Sequence, residues 1–150
     1  MPLLDIASDH FESHWRVLEL LDRLRELDAP EYCNRATIID CWKDDTFAMI
    51  VSRSTARVPD TQPVGFVAWG NENNPEVFLL WVDPAHRGTG LSRRLLRNVP
   101  SGVWNVQAMG QKAAAFWTHI GAVPHQRRND GERITHQWSA PPTQPRMSSW

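Results

Sequence analysis

Apolar and polar positions recur along this chain with two different periods, and the switches between them mark out its elements. Residues 3–7 are apolar enough for a short first strand, and Asp9 followed by Glu12 forms a capping box that opens a helix. Phe11, Trp15, Leu18, Leu21 and Leu24 then recur at three- and four-residue spacing, which predicts a core-facing helical stripe reaching about residue 27, with Asp28 and Pro30 as stop signals. Residues 31–43 stay open, because 36–42 carry enough β-branched content for a strand. Residues 47–52 and 64–69 read as strands joined by a polar Ser/Thr/Pro connection, a hairpin. The near-continuous apolar run 76–82 predicts a central strand buried on both faces. Residues 124–128 and 134–139 form a closing pair around Asn129-Asp130-Gly131. The sum is a mixed α/β sheet in one domain, residues 1–138, followed by a flexible Pro/Ser-rich tail, residues 139–150.

The central strand runs into the most informative stretch, EVFLLWVDPAHRGTGLSRRLL, residues 76–96: strand, Pro-ended turn, Arg-Gly-Thr-Gly loop, helix. A glycine-rich loop that opens a helix presents free backbone N–H groups and the positive end of the helix dipole, a cradle for an anion. Gly88 and Gly90 allow positive φ and close approach of a phosphate, and Arg87 can add a charge-assisted bond. The ligand expected is a phosphate or pyrophosphate carrier.

Two common nucleotide cradles are excluded. A P-loop needs Gly-x-x-x-x-Gly-Lys-Ser/Thr, which is absent, and a dinucleotide fingerprint needs a third glycine where Arg93 stands.

The string Arg87-Gly88-Thr89-Gly90-Leu91-Ser92, preceded by a hydrophobic strand ending in Val-x-Pro, resembles the acetyl-coenzyme A signature Gln/Arg-x-x-Gly-x-Gly/Ala of the Gcn5-related N-acetyltransferase (GNAT) family. Arg87 and Gly90 match, and Ser92 departs. Downstream, residues 103–109 read as a strand and 110–122 as a helix similar to the family pattern Asn-x-x-Ala-x-x-Phe-Tyr-x-x-x-Gly-Phe. Ala113, Phe116 and Gly121 match; Gly110, Trp117 and Ala122 replace the Asn, Tyr and Phe. The similarity covers residues 63–138.

The resemblance implies a GNAT-like fold: a mixed, mostly antiparallel sheet with a splayed central strand pair, flanked by helices, and a second helix within 31–43. It implies acetyl-CoA as co-substrate, seated by Trp81, Val82, Arg87, Gly88, Thr89, Gly90, Leu91 and Ser92, with the thioester near residues 80–82 on one side and 105–109 on the other. The expected reaction is direct attack of a primary amine, of a small molecule or a protein, on the thioester. At pH 7 only about one lysine-like amine in a few thousand is neutral, so a base or a desolvating pocket is needed. Glu76, six residues before Val82, stands where the histone-acetylating branch places its catalytic glutamate, while its alternative is a plain strand-end carboxylate. Glu72 is a second choice. An indole cannot replace the tyrosine hydroxyl as proton donor, and Ser92, Thr118 and His119 are the candidates left.

Composition adds exclusions. Of 150 residues 41% are hydrophobic and 22% charged, and the net charge of −1 offers no footprint for nucleic acid or an anionic membrane. Arg93, Arg94 and Arg97 divide between a solvated helix face and a role beside the 3′-phosphate of coenzyme A. Two cysteines make no disulfide framework, and with no basic, apolar leader at the N-terminus a cytoplasmic location is expected. His10 and His14 lack an evident third ligand, so no metal is expected; His86 is expected to face solvent. Most of the eight tryptophans belong in the core, with Trp42, Trp69 and Trp81 as candidate acceptor-site walls. A homodimer stays open. The alternatives are a non-catalytic acyl-CoA-binding module on the same fold and a toxin-type enzyme acting on aminoacyl-tRNA.

Overall fold

The computed structural model describes residues 3–7, 13–27, 29, 33–43, 46–53, 61–70, 76–130 and 133–140. Seven strands form one sheet in the order β1-β2-β3-β4-β5-β7-β6, comprising β1 Leu3–Ala7, β2 Phe47–Arg53, β3 Thr61–Trp69, β4 Glu76–Val82, β5 Gly102–Met109, β6 Val123–Asp130 and β7 Arg133–Ala140. All neighbours are antiparallel except β4 and β5, which are parallel and paired only at Glu76↔Asn105 and Val77↔Val106. The residue pattern predicts a mixed sheet, and its mostly antiparallel pairing with a splayed central pair is what the family resemblance implies.

Helices α1 Ser13–Glu26 and α2 Arg35–Lys43 lie on one face, α3 Leu91–Leu96 and α4 Gly110–His119 on the other. The stripe of α1 is displaced from the predicted one. Val17, Leu20 and Leu24 are buried and Leu18 is exposed, since Val17, Leu18, Leu20 and Leu21 make up two overlapping helical faces and the sheet takes the one centred on Leu20. The predicted capping box at Asp9 and Glu12 lies outside the described residues, as does the side chain of Trp15. Segment 35–43, left open from sequence, is helical. The Thr37 N–H donates to the Asn34 side-chain oxygen at 2.9 Å, a cap that starts α2, and Ile38 and Cys41 bury its inner face.

β3 begins three residues before the predicted strand, because Thr61, Gln62 and Pro63 pair with Arg53, Ser52 and Val51 across a register shift. α4 ends at His119 rather than at 122. Gly121 takes φ +100°, its N–H donates to the Thr118 carbonyl and the Ala122 N–H to the Trp117 carbonyl, a Schellman stop that only a residue tolerant of positive φ completes cheaply. The closing strands run slightly beyond their predicted ends, and residues 141–150 of the expected tail lie outside the described residues.

The sheet separates two apolar clusters. Phe47, Met49, Phe66, Leu79 and Trp81 pack with α1 and α2, and Ile50, Val67, Val82, Trp104, Val106 and Trp138 with α3 and α4. β4 is not buried evenly on both faces, contrary to its apolar sequence: Leu79 and Trp81 are enclosed, whereas Phe78 is 40% exposed and Leu80 half-buried, because a cleft runs along that side.

Candidate functional site

The cleft follows from the splay. Beyond Val77 and Val106 the two parallel strands no longer pair, so from residue 78 onward the β5-facing edge of β4 has no ladder partner in β5. The opening holds about 840 Å³ and is walled by β4, the loop after it, α3 and α4.

That loop is fixed by an acid. Asp83, 3% exposed, follows β4, and its backbone N–H donates to the Val64 carbonyl at 2.8 Å. Its Oδ1 accepts from the Ala85 N–H at 2.9 Å and caps a 3-10 turn, Pro84–His86, while its Oδ2 accepts from Arg23 Nη2 at 2.9 Å and Nε at 3.3 Å. Burial pushes the carboxyl pKa up, but the Ala85 N–H, the Arg23 guanidinium and the His86 ring together outweigh it and hold the group below its ordinary range. The Arg87 Nε donates to the Val82 carbonyl at 3.1 Å, and the Thr89 hydroxyl donates to the His86 carbonyl. The loop is folded back on its own strand by these bonds.

Gly88 and Gly90 take φ of +81° and +82°, as the sequence requires, and a side chain at either would meet nothing within 4 Å. Their backbones are open to a ligand. Gly90 caps α3 in the left-handed conformation and supplies no side-chain acceptor, so the first-turn amides of α3 have no capping side chain.

Among the residues predicted for the site, Glu76, Trp81, Val82, Arg87, Gly88, Gly90, Leu91 and Ser92 line the cleft and Thr89 does not. Trp81 does so from the edge of the strand, its ring lying 6.1 Å from that of Phe66 in the cluster under α1 and α2. Glu76 is half-buried at the closed end of the fork, and burial raises its pKa. Glu72 lies outside the described residues, as do His10 and the side chain of His14. Trp117, at the tyrosine position, is 7% exposed, with its ring 6.2 Å from Trp138. Of the candidate donors, Ser92 and His119 reach the cleft and Thr118 does not. Of the three arginines of α3 and its end, Arg93 reaches it and Arg94 and Arg97 do not.

His86 also lines the cleft, contrary to its expected solvent position, because the Asp83 cap turns the loop back along the strand. Lys112 is a cleft residue that the motif reading passed over, and Phe116 one that it matched without assigning it to the site. Their signal is present in sequence, since Lys112, Phe116 and Ile120 recur four apart beside Ala113 on one helical face. Trp42 and Trp69, offered as acceptor-site walls, are partly buried against the core clusters and do not line this cleft.

An α/β sheet forked at one parallel pair, with a positive-φ glycine loop delivering a helix N-terminus into the fork, is an arrangement able to seat an anionic group with an extended arm. The family model of the acetyltransferase (GNAT) family matches residues 13–99, more than half of the chain, and the chain belongs to that family. No curated protein matches by sequence. Among solved structures, Ard1 from Thermoplasma volcanium is 18% identical, with 93% of this chain and 97% of that one covered at a TM-score of 0.60. The PaiA N-acetyltransferase from Thermoplasma acidophilum, in complex with coenzyme A, is 13% identical over 93% and 99% at 0.61. N-acetylglutamate synthase from Neisseria gonorrhoeae, complexed with coenzyme A and N-acetyl-glutamate, is 13% identical over 94% of this chain at 0.63, and this chain spans 36% of its length. At these identities the likeness is one of fold. No helix among the described residues is long and apolar enough to cross a membrane.

Proposed function

We propose that this chain is an N-acetyltransferase that uses acetyl-CoA as co-substrate and transfers its acetyl group to a primary amine of a small molecule or a protein by direct attack. One observation carries the reading. Gly88 and Gly90, both at positive φ and both open, stand at the mouth of a fork whose β4 edge is unpaired with β5 beyond Val77. Coenzyme A complexes among the structures of similar fold support it. The residues fit the group: backbone amides around Gly88, Gly90 and the first turn of α3 suit a pyrophosphate, Arg93 and Lys112 add positive charge, and the edge of β4 at 80–82, which β5 does not pair and where the Val82 carbonyl accepts from Arg87, offers its other backbone groups to an extended amide-bearing arm. When bound, acetyl-CoA supplies an acyl carbon activated as a thioester.

The chain's own part is to bring the amine in, neutral and oriented. Glu76 is the proposed base; burial raises its proton affinity above that of a solvated carboxylate and so brings it closer to the ammonium it must deprotonate. Ser92 and His119 carry exchangeable protons in the cleft, whereas Trp117 lines the cleft from the core cluster with an indole N–H that is no useful acid. Trp117 in place of the family tyrosine favours a second reading, an acyl-CoA-binding module without turnover. Thiol release from acetyl-CoA across a panel of amines separates the two: release with at least one amine supports the transferase, and coenzyme A binding without release on any amine supports the module.

A further inference from the structure

β4 carries one residue more than its neighbour. Leu79 stands opposite Ala68 and Val77 opposite Trp69, the very next residue of β3, so Phe78 has no cross-strand partner there. Such a bulge resets the in-out alternation. Val77 and Val82 accordingly belong to the cluster under α3 and α4, and Leu79 and Trp81 to the one under α1 and α2. Phe78 lines the cleft with 40% of its surface open, although the strand residues on either side of it, Val77 and Leu79, are buried. It is also the first residue past the last rung that joins β4 to β5, Val77↔Val106. The ring therefore stands at the closed end of the fork.

The opposite wall is sorted in the same way. α4 leaves β5 at Met109, at the open end, and runs back until Val123, which is linked through Gln137 and Asn105 to the rung of Glu76. Lys112 thus sits near the loop cations Arg87 and Arg93, and Phe116 and Ile120 lie toward Phe78. The cleft has a cationic mouth, and its closed end sets the rings of Phe78 and Phe116 and the Ile120 side chain beside Glu76 and His119.

We infer that Phe78 gauges the acyl chain: its ring stands at the closed end of the fork, admits a short acyl group and excludes longer ones. The inference rests on the acyl-CoA reading above. A rigid ring at the end of the fork discriminates by overlap, and each methylene gained or lost against an apolar wall is worth roughly tenfold or more. The ring is exposed and unpaired, so shortening it leaves the core intact.

Because the acceptor is unidentified, the test reads binding first. Calorimetry compares coenzyme A with its S-ethyl and S-hexyl thioethers on wild type, Phe78→Leu and Phe78→Ala. Wild type is expected to prefer S-ethyl over S-hexyl by about a hundredfold, with Phe78→Ala reversing the order, Phe78→Leu falling between, and coenzyme A itself bound equally by all three. Thiol release from acetyl-CoA and hexanoyl-CoA should follow the same order. Equal affinity of wild type for both thioethers, or an unchanged ratio in Phe78→Ala, overturns the gauge alone. Failure of wild type to bind coenzyme A at all overturns the acyl-CoA reading and the gauge with it.

Discussion

Arg23 and Asp83, sixty residues apart in sequence, meet through two N–H donors on one carboxylate oxygen, and this pair ties the first helix to the root of the glycine loop. The other oxygen of Asp83 caps the turn before that loop. A single buried acid thus holds a helix and a backbone turn in fixed relation, and the conformation of Gly88 and Gly90 depends on both.

Removing the partner leaves the buried acid with only the Ala85 N–H and the charge of the His86 ring to offset its burial. Arg23→Ala should therefore cost about 3 kcal/mol of stability, at the low end of the range for broken buried pairs because Arg23 keeps some exposure. Chemical denaturation measures it. Affinity for coenzyme A should fall as well, since the loop loses its anchor, and a variant as stable as wild type would show that the pair is ornamental.

The same acid sets the acid limb of stability. Its native pKa lies below the ordinary value of 3.8, so the unfolded chain takes up the proton first as pH falls. The stabilisation is complete above that ordinary value and drains away as pH drops through the lowered native one. Asp83→Asn, lacking this charge, should be less stable than wild type at pH 7, and the gap should narrow from about pH 5 downward. Urea midpoints at a series of pH values check the sign.

Glu76 runs the other way. Its native pKa is raised by burial, so its contribution to stability is present at low pH and lost as pH rises through the native value. Glu76→Gln should be slightly more stable than wild type at neutral pH and lose 10²- to 10⁴-fold in kcat/KM, the range for a general base, with coenzyme A affinity unchanged. In wild type the acid limb of the kcat/KM profile should lie above the ordinary value of 4.5. An activity unaffected by Glu76→Gln would assign deprotonation to the pocket as a whole.

What was legible in the sequence divides by range. The glycine loop could be read because positive φ demands glycine locally, and the central strand because six consecutive residues, 77–82, are apolar. Asp83 was hidden inside the motif as the free position of Val-x-Pro, since its partner lies in another element and no local rule links the two. Phe78 was invisible for a related reason: a bulge is a mismatch between two strands, and one strand's sequence cannot display it. Leu18 shows the limit of periodicity, where neighbouring apolar stripes compete and only the sheet chooses.

Gly90→Glu separates binding from folding. A Cβ there meets nothing within 4 Å, so the fold bears only the strain of a side chain at φ +82°, roughly 1–2 kcal/mol. The added carboxylate, however, stands where the proposed pyrophosphate sits, and coenzyme A binding should be lost. Gly90→Asn provides the control, because asparagine tolerates the left-handed region and brings no charge; it should retain most of the affinity. If both variants bind coenzyme A as tightly as wild type, the loop is no cradle, and if both fail, backbone conformation rather than charge repulsion is what the site requires.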